Sequence, residues 1–465
     1  TRIIVEREEE IRAFVPVEYW TIESVLHTAG KAIPVHFWGD ATGKVRLSSE
    51  AEAMKVVDAV RGKRYTVSSV KRASRHKAPA PPFTTSTMQQ EAAKKLGFQS
   101  QKIMKVAQEL YEGVNLGAEL GGTQGLITYM RTDSLRLSEE ALAAARGFIT
   151  QRYGAAYYPP QTRRFKTKGS AQDAHEAIRP SDVTLVPEDI RKDLTSEQYK
   201  LYKLIWSRFL ACQMANAVYD SVSIETECAG YTFRSSHTAI KFSGFTAVYE
   251  EGRDDEEEAP QSPLPDLKEG EQLKQSGLKK DQHFTQPPAR YSEATLIKAL
   301  EEKGIGRPST YAPTISTILD REYVVKEGKY LRTTPLGDVV TGLMKDKFPD
   351  IVDTAFTAQM EEQLDQVEEG REKWKDLLSG FYGGFQKELA QAEQDSQQAQ
   401  REATAAQYEL EAAQSQLRQW EDAILKAEGQ LERCRSVLSA LEGQQENGRS
   451  ELEQLKSRAA QNEGD

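Results

Sequence analysis

From residue 410 onward the chain has little freedom in what it can fold into. Leu410, Leu417, Ile424, Leu431, Leu438 and Leu452 recur in steps of seven, and Ala413, Trp420, Ala427, Cys434, Leu441 and Leu455 follow three places behind. Two apolar rows at that spacing form one narrow seam on a long helix, suited to packing against another helix. The pattern thins only at Glu442-Gly-Gln-Gln-Glu-Asn-Gly448. Residues 391–465 are therefore expected to form a coiled coil, pairing with a partner helix or folding back as a hairpin at that break.

At 465 residues the whole chain suffices for about three domains. Its 15 Phe and 18 Tyr can build cores although mean hydropathy is −0.62. No apolar run approaches the roughly 20 residues of a membrane-spanning helix, so no membrane protein is expected. The start, Thr1-Arg-Ile-Ile-Val-Glu6, has neither a secretory leader's basic-then-apolar pattern nor a Met, and suggests a piece of a longer protein. Cys212, Cys228 and Cys434 are too far apart for a disulfide framework or a zinc knuckle. No zinc site is expected, and a reducing, cytoplasmic setting fits.

The net charge of −10 argues against a nucleic-acid binder until it is divided along the chain. Residues 250–258 carry −6 and residues 391–465 carry −7, so the remainder is weakly basic. Basic stretches at 61–64, 71–77 and 163–168 are interleaved with Tyr65, Phe83, Thr84, Thr85 and Phe165, a mixture compatible with phosphate contact.

Residues 1–20 have helical spacing until Pro16, and residues 20–72 alternate in short strand-like pieces. Ala78-Pro-Ala-Pro-Pro82 is a stiff joint. Residues 84–215 are helical, with Ser or Thr at the helix starts, and strand signals return at 219–249. An acidic, Pro-rich loop covers 250–267, and 291–390 is helical again with short strands at 322–331. The expected class is mixed α and β: a strand-rich body interrupted by one helical domain and followed by another.

Four stretches carry chemistry. In Leu126-Ile-Thr-Tyr129-Met-Arg131-Thr-Asp133-Ser134 an apolar run ends in a tyrosine, with an arginine two places on. A phenol is a poor nucleophile at its ordinary pKa of about 10, so attack on a phosphodiester needs adjacent positive charge. Arg131 can supply it as a two-pronged clamp on the phosphate. Alone, a Tyr-x-Arg carries almost no information, and among 18 tyrosines its usual reading is a half-buried core aromatic. In Ala171-Gln172-Asp-Ala-His175-Glu176-Ala-Ile-Arg179-Pro180, His175 and Arg179 stand four apart and would share a face of a helix. Pro81-Pro-Phe-Thr84-Thr85-Ser86-Thr87-Met-Gln89-Gln90 gathers hydroxyls and amides at a helix start, either an ordinary cap or a phosphate contact. Gly304-Ile-Gly306-Arg307-Pro-Ser309-Thr310-Tyr311 offers close backbone approach, phosphate donors and a stacking face.

Together, and in this order, these stretches resemble the type IA DNA topoisomerases, bacterial topoisomerase I above all, over residues 1 to about 390. The resemblance implies that Tyr129 cuts one DNA strand and holds its 5′-phosphate, with Arg131 positioning that phosphate and His175 assisting. It implies DNA contacts from Arg179, Thr85, Ser86, Gln90, Arg307, Ser309, Thr310, Tyr311 and Arg321. It also implies an ATP-independent single-strand passage that relaxes negatively supercoiled DNA, in the cytoplasm at the nucleoid. The implied architecture is a toroid: residues 1–20 and 289–390 in a DNA-groove domain, 21–83 and 216–288 in a strand-rich arch, 84–215 as the Tyr-bearing gate, and 391–465 as the coiled coil, with possible self-association.

Three departures bear on this. The family's N-terminal acidic TOPRIM domain, whose carboxylates hold Mg²⁺, has no counterpart here, nor do its C-terminal zinc ribbons. Glu322 stands where the family usually has Gly, beside Arg321. The alternative function is a non-cleaving protein that holds single-stranded DNA and assembles through its coiled coil. A recombinase or type IB enzyme is disfavoured, because there the tyrosine follows its Arg and His partners, whereas Tyr129 precedes His175.

Overall fold

A computed structural model of the chain describes residues 1–28, 31–166, 175–252 and 263–462. Lys168, residues 171–174 and the acidic run 254–258 lie outside the described residues. Two units are present, Thr1–Trp374 and Lys375–Asp465.

The first unit begins with α1 (Arg2–Ala13), which stops where Phe14 turns extended ahead of Pro16. Next come β1 (Glu18–Thr28), β2 (Lys31–Asp40), β3 (Gly43–Lys44), α2 (Glu50–Val60) and β4 (Arg64–Lys77). The helical stretch holds α3 (Thr85–Leu96), α4 (Ser100–Glu112), two-residue strands β5 (Val114–Asn115) and β6 (Thr123–Gln124), α5 (Glu139–Tyr153) and α6 (Ser196–Gln213). The chain returns to strands in β7 (Ala217–Cys228), β8 (Tyr231–Phe242) and β9 (Gln272–Phe284). It continues through α7 (Glu293–Glu302), α8 (Tyr311–Asp320), the hairpin β10 (Val324–Glu327) and β11 (Tyr330–Thr333), α9 (Pro335–Lys347) and α10 (Thr354–Glu368).

The large sheet is antiparallel throughout, in the order β1-β9-β4-β7-β8-β2-β3, and β1 also pairs with β2. That extra pairing closes six strands into a ring, with β4 joined to β9 only over Arg64–Thr66 and β8 to β2 only over Tyr231–Arg234. Ile22, Leu26, Ile33, Val35, Tyr65, Val67 and Phe233 fill its core. Helix α2 adds Ala53, Val56, Val57 and Val60 to the same core. Residues 20–72 are thus not strands alone. The 3–4 spacing of those four residues, behind the Ser49 cap, is the helical signal inside them.

Two register pairs position everything else. Lys77 pairs with Ala217, so the helical stretch leaves and re-enters the sheet at neighbouring points. Glu18 pairs with Phe284, so the chain enters the sheet after α1 beside the point where it leaves after β9. Each excursion buries its own core. One gathers Phe83, Met88, Ile103, Leu110, Met130 and Phe209, and the other Ile4, Leu296, Ile297, Tyr311, Ile315 and Leu331. The helical core reaches past residue 215, because Phe245 and Tyr249 pack into it. Gly244 permits this: its φ is +50°, and a Cβ there would fall 2.4 Å from the Asn216 carbonyl oxygen.

The second unit is helix α11 (Trp374–Asn462), unbroken through Gly443 and Gly448. There is no turn at 442–448, so the expected hairpin does not form. The helical hydrogen bonds carry through two glycines because the flanking residues are strong helix formers. The apolar seam lies bare, with Leu417, Ile424, Leu431 and Leu438 all more than half exposed.

Candidate active site

Tyr129 sits on the irregular stretch between β6 and α5, and that stretch is pinned from three sides. Gly125 lies so close to α4 that a Cβ would come 2.6 Å from the Tyr111 carbonyl, and Leu126 N–H donates to Leu110 O at 2.7 Å. On the second side, Thr128 N–H donates to Arg179 O at 2.9 Å and Thr128 Oγ1 donates to Ala177 O at 2.7 Å. On the third, Thr85 is fully buried. Its backbone N–H donates to Thr132 O at 2.8 Å, and its hydroxyl donates to Met130 O at 2.6 Å while accepting from Thr132 N–H at 2.8 Å. Met130, Thr132 and Ser134 are buried, which leaves Arg131 and Asp133 facing outward. This is the alternation of an extended segment, and it presents Tyr129 and Arg131 on a backbone tied by those hydrogen bonds.

His175 reaches Tyr129 across 46 residues of sequence. The two rings lie 5.4 Å apart at 32°, and Tyr111 meets Tyr129 edge-on, also at 5.4 Å. The shared helical face expected for His175 and Arg179 is not present, because the segment is extended. Ile178 bridges Phe83, and Pro180 bridges Ile127, so long-range pairing overrides the local spacing. Arg179 is turned onto Glu176 at 2.8 Å and the Pro180 carbonyl at 2.9 Å. It secures the loop and does not line the cavity.

Tyr129, Arg131 and His175 open onto a cavity of about 1130 Å³. Its other walls come from α3, α7 and the turn before α8. Gln90, Arg307, Ser309 and Tyr311 are on the wall, together with Thr84 and Thr87. Thr84 and Thr87 also form the reciprocal cap of α3, so the ordinary-cap reading of that stretch holds alongside its place on the wall. Ser86 stands just behind, donating to Glu301 Oε2 at 2.6 Å and accepting from Gln90 Nε2 at 2.9 Å. Thr310 caps its own turn, accepting from the Arg307 N–H at 2.9 Å. Thr85 and Arg321 are not on the wall: the first is fully buried and the second is an exposed residue at the end of α8.

The cavity is electrically mixed. Lys166, Arg208 and Lys298 line it, but so do Asp133, Glu301 and Glu302. Arg208 is buried and committed to the Pro81 carbonyl, Tyr249 and Glu251. Arg307 is held by Asp365 at 2.7 Å, with Glu361 at 3.8 Å. Burial pushes the pKa of Tyr311, the other phenol on the wall, well above the ordinary value. Sequence reading missed Tyr111 and Glu301, which carry no motif of their own. Among the described residues no three His, Cys, Asp or Glu side chains gather as a metal ion needs, and no helix is long and apolar enough to cross a membrane.

The family described as DNA topoisomerase matches residues 1–379. Among solved structures, full-length topoisomerase I from Thermotoga maritima is similar at 37% identity with a TM-score of 0.71. The match covers 83% of this chain and 61% of that one, so the chain spans about three fifths of that relative's length. With the order of its motifs, the closed antiparallel sheet and the tyrosine on its pinned loop, the chain belongs to the type IA DNA topoisomerases.

Proposed function

We propose that this chain is the strand-cutting part of a DNA topoisomerase, with Tyr129 as the nucleophile. The observation that carries this is the three-sided pinning of the loop, which presents Tyr129 and Arg131 together at an open cavity beside His175. The Tyr129 phenol oxygen attacks a backbone phosphorus of one DNA strand. The new bond is O–P to tyrosine, the bond broken is P–O3′, and the 3′ oxygen leaves as a hydroxyl, taking one proton for the one the phenol gives up. Reversal of the same step reseals the strand after passage. Arg131 clamps the non-bridging oxygens, where charge builds up in the transition state. His175 orients the phenol. Thr85 acts through the loop as a positioning residue, and Gln90 and Ser309 line the path of the strand.

The family generally uses Mg²⁺. Among the described residues no three acidic, histidine or cysteine side chains gather as the ion needs, and of the cavity carboxylates Glu301 is engaged by Ser86 and Asp365 by Arg307. We place the acids that hold the ion in a segment outside these residues, which the share of the relative left uncovered allows for. On this reading residues 1–465 alone bind single-stranded DNA but do not relax supercoils, and robust plasmid relaxation by them would overturn it. Binding weakens with salt as phosphate contacts release counterions.

The test of the nucleophile uses a single-stranded oligonucleotide labelled at its 3′ end, with the acid-bearing segment of a relative supplied separately. A labelled protein adduct is expected, and Tyr129→Phe removes it while leaving fold and affinity in place. An adduct that survives Tyr129→Phe assigns another tyrosine. An adduct that instead keeps a 5′-end label has the opposite polarity and overturns the type IA chemistry. Binding with no adduct at all favours the non-cleaving DNA-binding protein.

A further inference from the structure

Helix α11 displays an exposed seam, and the charges along one flank of that seam say what covers it. From Trp420 onward the flank position that follows this row, with Gly448 filling the step before Leu455, is occupied by Glu421, Glu428, Arg435, Glu442, Arg449 and Lys456, while Gln414 after Ala413 is neutral. In order, the charged members are acid, acid, base, acid, base, base. Read backwards with the signs exchanged, the row is unchanged. A helix that carries such a row is complementary to a copy of itself running the other way.

We propose that α11 pairs antiparallel with α11 of a second copy of this chain. The register sets Glu421 against Lys456 of the partner subunit, Glu428 against Arg449 of the partner subunit, and Arg435 against Glu442 of the partner subunit. Two-fold symmetry makes each contact twice. In antiparallel pairs this flank faces its own equivalent, so the row meets itself. Moving the pairing by one heptad in either direction sets Arg435 against an arginine and Glu442 against a glutamate, so the register is specified as well as the direction.

The opposite flank does not interfere. Gln416, Ala423, Gln430, Val437 and Gln444 carry no charge. That same neutrality argues against a parallel pair, in which each charged residue would face a member of the neutral row, and only Lys456 would meet an acid, Glu451 of the partner subunit. Within its own helix Arg435 has only an exposed contact to Glu432 at 3.8 Å, which competes weakly.

Cys434 separates the two directions. In a parallel, in-register pair it would face its own equivalent across the seam. In the antiparallel register the two thiols lie about 13 Å apart along the axis, at ~1.5 Å rise per residue, and cannot bond. The same rise puts the starts of the two α11 helices roughly 190 Å apart. The inference does not depend on the chemistry at Tyr129.

The full chain is expected to sediment as a dimer at micromolar concentration. Glu428→Arg should weaken dimerisation by about tenfold or more, Arg449→Glu likewise, and the double variant should return to near the starting affinity. In a Cys434→Ser background, Glu428→Cys chains mixed with Arg449→Cys chains should form a disulfide-linked pair on oxidation, and neither should do so alone. A chain that stays monomeric at tens of micromolar overturns the proposal, as does a double variant without rescue. Ready Cys434–Cys434 cross-linking in the unaltered protein would show a parallel pair and overturn it too.

Discussion

The two walls of the Tyr129 cavity each bring an arginine beside hydroxyls and a tyrosine, yet they hold it in opposite ways. Arg131 projects from a backbone locked by Thr85, Thr128 and Gly125, and no side-chain hydrogen bond to it occurs among the described residues. Arg307 is anchored by its side chain: Asp365 takes it at 2.7 Å, and its Nη1 donates to the Gly306 carbonyl at 2.8 Å. One site fixes the backbone and leaves the charge available, whereas the other spends the charge on fixing α10 against the turn. A site that must grip a transient anion needs the first arrangement, because an arginine already satisfied by carboxylates has little left to offer a phosphate.

This contrast is sharpest in a paired substitution. Arg131→Ala is expected to slow cleavage by roughly 10² to 10³ with little loss of DNA affinity or stability. Arg307→Ala is expected to lower stability by about 1–3 kcal/mol and to change the cleavage step far less. Single-turnover adduct formation and denaturant unfolding measured on both variants decide the matter. Equal rate losses would erase the distinction between the walls.

Removing the lock while leaving the charge comes next in size. Thr85→Val keeps the shape but deprives Met130 O and Thr132 N–H of a buried partner, which should destabilise by about 1–3 kcal/mol. Adduct formation should fall with it while binding persists, because Arg131 is still present on a looser loop. If the rate is untouched, backbone locking is not what distinguishes the Arg131 wall.

The smallest effect lies at the far end of α8, beside Arg321. Glu322 has φ +56°, a left-handed conformation that side chains other than glycine adopt at a cost. It closes the helix there, with Glu322 N–H donating to Leu319 O at 2.9 Å and Tyr323 N–H to Ile318 O at 3.1 Å. Glu322→Gly should stabilise by roughly 0.5–1 kcal/mol, the relief of strain less the extra freedom of the unfolded chain. A loss of stability on thermal unfolding would mean that the Glu322 side chain contributes more than its backbone costs. The departure from the family's usual glycine is thus a matter of local strain at a helix end, away from the cavity.

Much of this was legible beforehand, and the division follows from the range of the forces involved. Capped helices such as 196–213 and the long tail helix are written in residues a few places apart, where periodicity and side-chain type are enough, whereas the Tyr129-x-Arg131 pattern taken alone reads as an ordinary core aromatic. Helix α2 was written there too, in Ala53, Val56, Val57 and Val60, within a stretch whose short alternations resemble strands. The self-complementary charge row on α11 is likewise sequence alone, once a single unbroken helix puts its members on one flank. Tertiary structure decided the rest. It brought His175 to Tyr129, turned Thr85 inward, straightened 175–180 out of a helix and committed Arg307 to Asp365. Each of those outcomes depends on pairing between segments roughly 45 to 95 residues apart, and no local pattern encodes which hydroxyl or arginine such pairings will consume.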